Sequence, residues 1–431
     1  MQRREFLGAA AAAAAIGPAA VGTLLGGCAS AGTARASGGK VVVVGGGYGG
    51  ATAARYLREW SDNTIDVTLV EPNPTFISCP LSNLVLGGSK RIEDLTVSYD
   101  ALSRRHGVKV VRDTVAAIDP SKRQVRLAGG GTLPYDRLVL SPGVDFMPDD
   151  VPGLKRPGGD QILHAWKAGP QTVALRRQLE AMRDGGTYAL TVPLAPYRCP
   201  PGPYERACQV AHYFSQAKPR SKVLILDANP DVTSKAALFK QVWASKYKGI
   251  VEYRPQYRTV DIDPATRTLK FEVQDDERVD VANVVPAQRA GAIAVNTGLA
   301  TANGRWCEVD FLTFESRAVP NIHVLGDAIQ IAPLMPKSGH MANQHGKIAA
   351  AAIVALLSGR QPNPEPLYNN TCYSFTSDRE VIHVASVHRY DAQKKTMVTV
   401  PDSGGVSTAP NTLEATYAFA WANAIWADAL G

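Results

Sequence analysis

Val41-Val42-Val43-Val44 is an unbroken apolar run, the pattern of a strand covered on both faces. It leads into Gly45-x-Gly47-x-x-Gly50, after which Ala51 to Glu59 reads as a helix. Asp66-Val67-Thr68-Leu69-Val70 is a second strand, ending on Glu71. Tyr135 to Leu140 reads as a third, closed by the turn Ser141-Pro142-Gly143. Gly186 to Val192 and Lys222 to Leu226 are two more strands, the later one ending on Asp227. Asn321 to Leu325 is another, stopping at Gly326-Asp327, and Ser338 to Leu357 reads as a helix rich in Ala, Ile and Val. Apolar strands alternating with helices predict an α/β chain built on parallel sheets.

The first of these units carries chemistry. Gly45 permits a tight turn, Gly47 lets backbone approach a pyrophosphate, and Gly50 lets helix and strand pack closely. The helix N-terminus offers N–H donors and positive potential to phosphates. Glu71, about 20 residues beyond the last glycine, is placed for ribose hydroxyls. Asp327, at a strand end, can accept hydrogen bonds from a ribityl chain. The helix from Ser338 can aim its positive end at the pyrimidine edge of a flavin, which makes FAD the expected cofactor. The three segments in this order resemble flavoproteins with two dinucleotide-binding, Rossmann-like domains of the glutathione-reductase type. That resemblance implies a discontinuous FAD domain over 38–150 and 290–360. Residues 151–289 then form an inserted second dinucleotide fold, and 361–431 a small C-terminal α+β domain.

The inserted fold lacks its expected phosphate loop. Between its two strands stands Pro193-Leu194-Ala195-Pro196-Tyr197-Arg198-Cys199-Pro200-Pro201-Gly202-Pro203-Tyr204-Glu205. Prolines supply no N–H and hence no phosphate cradle, so a nicotinamide site is not expected there.

Of the 431 residues, 45% are apolar and 20% charged, an ordinary globular composition that excludes disorder and fibrous repeats. The net charge of +7 is spread without a Lys/Arg cluster and gives no ground for nucleic-acid binding. Arg3-Arg4-x-Phe6-Leu7, followed by a modestly apolar Ala/Gly stretch, resembles a twin-arginine export signal over 1–36 and implies a periplasmic protein without a membrane span after processing. Leu25-Gly26-Gly27-Cys28 resembles a lipoprotein box, which would instead tether the chain through Cys28.

Beyond Cys28 lie Cys79, Cys199, Cys208, Cys307 and Cys372. An odd number in an oxidising compartment leaves at least one thiol free or otherwise occupied. Spacing alone leaves Cys199 open to pairing with Cys208, Cys307 or Cys372, or with none. No Cys-x-x-Cys-His is present, so this chain attaches no c-type haem, and no Cys/His spacing suggests a metal.

Several long segments resemble one family, the flavoprotein subunits of flavocytochrome c sulfide dehydrogenase. They include Ser78-Cys79-Pro80-Leu81-Ser82-Asn83, His164-Ala165-Trp166-Lys167-Ala168-Gly169 and Tyr197 to Arg206. Met335-Pro336-Lys337-Ser338-Gly339, Asn370-Thr371-Cys372-Tyr373-Ser374 and Val400 to Val406 extend the match over nearly all of 40–431. The resemblance implies that Cys79 carries FAD through a thioether. It also implies that Cys199 and Cys372 form a redox-active disulfide, with Glu205 close by and Trp421 near the flavin. Lys337 and the helix from Ser338 would offset negative charge on the reduced cofactor. By composition alone, Cys79 reads as a buried thiol, Glu205 as a solvated acid and Trp421 as a core residue. Cys208 and His340 depart from the family's pattern. The implied reaction oxidises hydrosulfide to zero-valent sulfur or polysulfide and passes electrons singly to a c-type cytochrome subunit. A sulfide:quinone oxidoreductase, an NADH-dependent disulfide reductase and a non-catalytic FAD-binding module are the competing readings. The last 31 residues contain no Lys or Arg. This favours packing Tyr417, Phe419, Trp421 and Trp426 into protein over docking on anionic lipid.

Overall fold

A computed structural model describes residues 38–431. The export signal, the lipoprotein box and Cys28 lie outside the described residues.

Two parallel sheets organise the chain. The first has five strands in the order Ile322–Val324, Arg137–Leu140, Lys40–Val44, Asp66–Val70 and Lys109–Val111. Its central strand is buried from Val41 onward, because helices cover both faces of a parallel sheet. The Tyr48–Trp60 and Gly339–Leu357 helices pack against each other here, and Gly346 makes the close approach possible: a Cβ on it would stand 2.5 Å from Gly49 O. The first helix starts at Tyr48, three residues ahead of the apolar reading, because Gly49 and Gly50 already belong to its first turn.

The second sheet has four parallel strands, ordered Val251–Pro255, Lys222–Asp227, Thr187–Val192 and Val281–Val284. The Gly202–Ala217 helix crosses from the first of its strands in sequence, Thr187–Val192, to the second, Lys222–Asp227. Its core is aromatic: Tyr204, Phe239, Trp243 and Tyr253 pack with ring centroids 5.5–6.4 Å apart.

The C-terminal segment pairs Leu367–Phe375 with Val381–Asp391 in antiparallel register, and Thr396–Thr399 and Gly405–Val406 add to the same sheet. The Thr412–Leu430 helix, capped by Asn411 Oδ1 accepting from Glu414 N–H at 2.8 Å, then returns to the first sheet's helices. Arg55 donates to Ala427 O and Asp428 O, and Tyr56 OH to Asp428 Oδ1, which ties the last helix to the Tyr48–Trp60 helix. Trp421, Phe419 and Trp426 pack inward as expected, whereas Tyr417 is 50% exposed on the outer face of the helix. Among the described residues no helix is long and apolar enough to cross a membrane.

Candidate active site

A continuous cavity of about 1010 Å³ runs from the glycine loop to the C-terminal strand. That is the upper end of the roughly 300–1,000 Å³ typical of small-molecule clefts. At one end, Gly45 has φ +94, and a Cβ there would stand 2.3 Å from Ser141 O. A Cβ at Gly50 would stand 1.9 Å from Gly45 O, so the loop and helix touch backbone to backbone. A Cβ at Gly47 would meet no protein atom within 4 Å, leaving open space on the cavity wall. Glu71 also lines this end. Gly46 N–H donates to its Oε2 at 2.7 Å and Asn73 to its Oε1, which orients the carboxylate.

The middle of the cavity holds Asp327. Its Oδ1 is buried and has no hydrogen-bond partner within the protein. An unpartnered buried carboxylate oxygen is costly; a ligand hydroxyl would satisfy it. Burial raises the Asp327 pKa, and Arg198 and Lys337 pull it back. Lys337 itself is buried, with its ammonium 3.6 Å from the centre of the Trp306 ring. It donates to Asp327 O and Ile329 O, so it braces the strand-end turn that presents Asp327. Burial lowers its pKa to about 7. Ser338 caps the Gly339–Leu357 helix, its Oγ accepting from Met341 N–H at 3.0 Å. The groove along Gly47, the unpartnered Asp327 oxygen and the capped helix at Ser338 fit a flavin dinucleotide.

The far end gathers the sulfurs. Cys79, Cys199 and Cys372 all line the cavity. Cys79 Sγ accepts from Arg198 Nη2 at 2.9 Å and from Ala168 N–H at 3.4 Å. Cys199 sits just ahead of the Gly202–Ala217 helix with φ 60, a strained value for a side-chain-bearing residue. Its N–H donates to Lys337 O at 2.8 Å. Cys372 lies on the Leu367–Phe375 strand. All five described cysteines are unpaired thiols. Cys208, fully buried in the aromatic core against Trp243, and Cys307, buried beside Lys337, do not line the cavity.

Glu205 is 8% exposed rather than solvated. Its Oε1 accepts from Phe375 N–H at 2.9 Å and its Oε2 from Asn83 Nδ2 at 2.8 Å. Burial raises its pKa against these two donors. Trp421 faces the cavity beside His340, with centroids 5.8 Å apart, and Tyr373, 6.3 Å apart. His340 Nδ1 accepts from Thr371 N–H at 3.0 Å, and burial lowers its pKa.

The sequence reading passed over Arg198, Lys235 and Asn370. Arg198 stands beside Cys199 in the proline-rich segment, a signal that was available. Asn370, two residues before Cys372 on one strand, shares its face by strand alternation, whereas Lys235 reaches the site through contacts that no local pattern announces.

Where a second dinucleotide would bind, the fold is filled from within. Asp227, at the end of its strand, is buried, and its Oδ2 accepts from Tyr204 OH at 2.7 Å and Tyr253 OH at 3.2 Å. Asn229 donates to its Oδ1 from both backbone and side chain.

Fold and cavity together define a two-dinucleotide-fold flavoprotein. Residues 39–179 match the pyridine nucleotide-disulphide oxidoreductase family. Residues 172–286 match the central part of the sulfide dehydrogenase [flavocytochrome c] flavoprotein chain, and 364–430 the flavocytochrome c sulphide dehydrogenase flavin-binding part. The flavoprotein chain of sulfide dehydrogenase [flavocytochrome c] from Chlorobaculum thiosulfatiphilum is 61% identical over 38 residues, covering 9% of this chain and 77% of that one. The chain belongs to the family of flavocytochrome c sulfide dehydrogenase flavoprotein chains. The mitochondrial sulfide:quinone oxidoreductase of Dictyostelium discoideum is 26% identical over 292 residues, 65% of this chain and 63% of that one. The match to its Mus musculus counterpart, at 22% identity, likewise spans 63% of that protein's length. Among solved structures, the sulfide:quinone oxidoreductase of Aquifex aeolicus superposes with a TM-score of 0.75 at 16% identity, over 90% of this chain and 91% of that one. The last comparison bears on the fold alone.

Proposed function

We propose that this chain oxidises hydrosulfide to zero-valent sulfur or polysulfide, using Cys199 and Cys372 as a redox-active pair and FAD attached through Cys79. The observation that carries the reading is that Cys79, Cys199 and Cys372 share one cavity with Asp327 and the capped helix at Ser338. In the oxidised pair, hydrosulfide attacks one sulfur, the Cys–Cys bond breaks, and a persulfide and a thiolate result. FAD, when bound, accepts an electron pair and returns it one electron at a time. The chain's own residues orient the reactants. Gly45, Gly47 and Gly50 hold the pyrophosphate, Glu71 the ribose and Asp327 the ribityl hydroxyls. Ser338 and Trp421 set the wall beside the ring. Glu205 fixes the strand that carries Cys372 against the helix that follows Cys199.

The electron acceptor on this reading is a c-type cytochrome subunit, since this chain carries no haem-attachment motif of its own. Export by the twin-arginine route would place the pair in the periplasm, with Cys28 as a lipid anchor in the alternative processing. A second reading, electron delivery to quinone, is favoured by the likeness to sulfide:quinone oxidoreductases. Anaerobic titration with sulfide, followed by addition of either cytochrome c or a soluble quinone, tests both. Bleaching of the flavin band and rapid cytochrome reduction support the first reading. Reoxidation by quinone alone supports the second, and no bleaching at all rejects both.

A further inference from the structure

The two cavity cysteines share Lys235 and Glu205 as charged neighbours but in different balance. Lys235 precedes the Ala236–Ser245 helix with left-handed backbone, φ 57, and its side chain is buried. Its ammonium donates to Cys372 O at 2.9 Å and to Ser374 Oγ at 2.8 Å. Asn370 Nδ2 donates to Cys372 Sγ at 3.5 Å. That amide orientation follows from Ser338: its Oγ accepts from Met341 N–H, so its own proton goes to Asn370 Oδ1 at 2.7 Å, leaving Nδ2 toward the sulfur.

Cys199 has the helix beginning at Gly202 beside it, and Arg198 and Lys235 act on it more weakly than burial and Glu205 do. A Cβ on Gly202 would stand 2.9 Å from Cys199 Sγ. A helix N-terminus carries only about half a unit of positive charge, and ionised Glu205 in that first turn opposes it.

We propose that Lys235 is a positioning residue that makes Cys372 the thiolate-bearing member of the pair, so that hydrosulfide attacks Cys199. The inference rests on the sulfide-oxidising reading above. In the exchange, the incoming sulfur bonds to Cys199, the bond between Cys199 and Cys372 breaks, and its electron pair remains on Cys372. No further oxidant is needed for that step. Burial pushes both thiols up; for Cys199 the next cause is Glu205, which pushes it further, ahead of the opposing Arg198 and Lys235, whereas for Cys372 Lys235, Asn370 and Ser338 pull it back ahead of the opposing Glu205. The groups facing Lys235 are Cys372 on its strand, Glu205 and Cys199 around the Gly202 helix start, and Glu414 on the C-terminal helix. Burial lowers Lys235 to about 8, which leaves it charged at neutral pH.

The test uses the full, flavin-loaded chain, reduced anaerobically with dithiothreitol and treated with limiting iodoacetamide. Label on each cysteine is counted by peptide mass spectrometry as pH is varied. Cys372 should label first in the unaltered protein. Lys235→Gln keeps a donor for Cys372 O and Ser374 Oγ but removes the charge. It should slow labelling of Cys372 by up to about tenfold at neutral pH, one unit of pKa, and slow Cys199, on which Lys235 acts more weakly, by less. Lys235→Arg should restore the rate. Preferential labelling of Cys199 in the unaltered protein, or an unchanged Cys372 rate in Lys235→Gln, overturns the proposal. If Lys235→Gln does not accumulate, Glu205→Gln serves: it should speed labelling of Cys199 and narrow the gap, and an unchanged gap overturns the proposal. Labelling is read without sulfide. Failure of sulfide to bleach the flavin would therefore reject the functional reading separately from the order of thiol reactivity.

Discussion

Arg198 Nη2 donates to Cys79 Sγ at 2.9 Å, across 119 residues of sequence. A guanidinium has no acceptor, so the sulfur must accept, and the contact is stronger the more negative that sulfur is. The same Arg198 side chain also reaches Trp166 O, which fixes it over the cavity beside Cys79. Cys79 Sγ is thus held on the cavity wall, where the proposed thioether would form. After acid denaturation, the yellow colour should stay with the unaltered polypeptide. Cys79→Ser should still take up flavin when native and release it to the supernatant on denaturation. Flavin that leaves the unaltered chain on denaturation would remove the covalent link from the reading.

The cysteine pair can be tested in the same preparation. Cys372→Ser leaves the glycine loop, Glu71 and Asp327 untouched, so flavin content should match the unaltered protein. Reduction by sulfide should fall by at least about a thousandfold, as expected when one member of a nucleophilic pair is removed. Stopped-flow absorbance in the flavin band measures it. Rapid bleaching in the variant would show that the electrons enter by another route.

Lys337 sets a pH dependence on the fold itself. Its folded pKa of about 7 lies below the ordinary lysine value. Between those two values the unfolded chain binds the proton and the folded chain does not, so stability rises with pH. Below about 7 both states are charged and the full penalty of burying the ammonium is present. Flavin-free protein should therefore gain up to about 1.4 kcal/mol per pH unit above neutrality from this group. Lys337→Met should remove that share of the slope, and urea unfolding at a series of pH values reads it. Lys235, held at about 8, contributes a smaller rise of the same sign that should persist in Lys337→Met. A variant with an undiminished slope would mean that Lys337 titrates normally.

Four strands of the first sheet and its ligand loop were legible in the sequence because their signals are local, while the three-residue edge strand Lys109–Val111 is too short to show a pattern. The Val41–Val44 run, the glycine spacing and Glu71 all lie within one strand–helix–strand unit, and the structure differs only in starting the helix at Tyr48. The surroundings of the sulfurs were not legible in the same way. Glu205 reads as a solvated acid until Phe375, 170 residues away, is seen to donate to it. Lys235 and Cys372 are 137 residues apart, and their contact depends on how the second sheet meets the C-terminal strand. Tyr417 failed in the other direction: the C-terminal helix is apolar nearly all round, and its pattern does not say which face the neighbours cover.

Gly50 offers a sharp test of the loop. A Cβ there would overlap Gly45 O at 1.9 Å, and the obstructing atom is backbone rather than a side chain that can swing away. Gly50→Ala should cost about 2–3 kcal/mol or more in urea unfolding and should purify with little flavin. Gly47→Ala meets no protein atom. It should fold with nearly unchanged stability yet lose flavin, because its methyl group would enter the space left for the pyrophosphate. Full flavin content in Gly47→Ala would place the dinucleotide elsewhere.

The second sheet leads to an expected failure to react. In a nicotinamide-binding fold, the acid at the end of the second strand must be open to a ribose. Asp227 occupies that position, but its oxygens are taken by Tyr204, Tyr253 and Asn229. The segment that should cradle phosphate is closed by Asn229, which donates to Pro193 O and accepts from Ala195 N–H. Opening the site would require breaking these hydrogen bonds and withdrawing Tyr204 from its tilted and edge-on contacts in the aromatic core. NADH or NADPH mixed anaerobically with the flavin-loaded chain should leave the flavin band unchanged over minutes, while hydrosulfide bleaches it. Substituting Tyr204→Phe should not create NADH activity, since the packed ring would still block the site. Bleaching by NADH in the unaltered protein would mean that the second fold opens, and the electrons would then have a source other than sulfide.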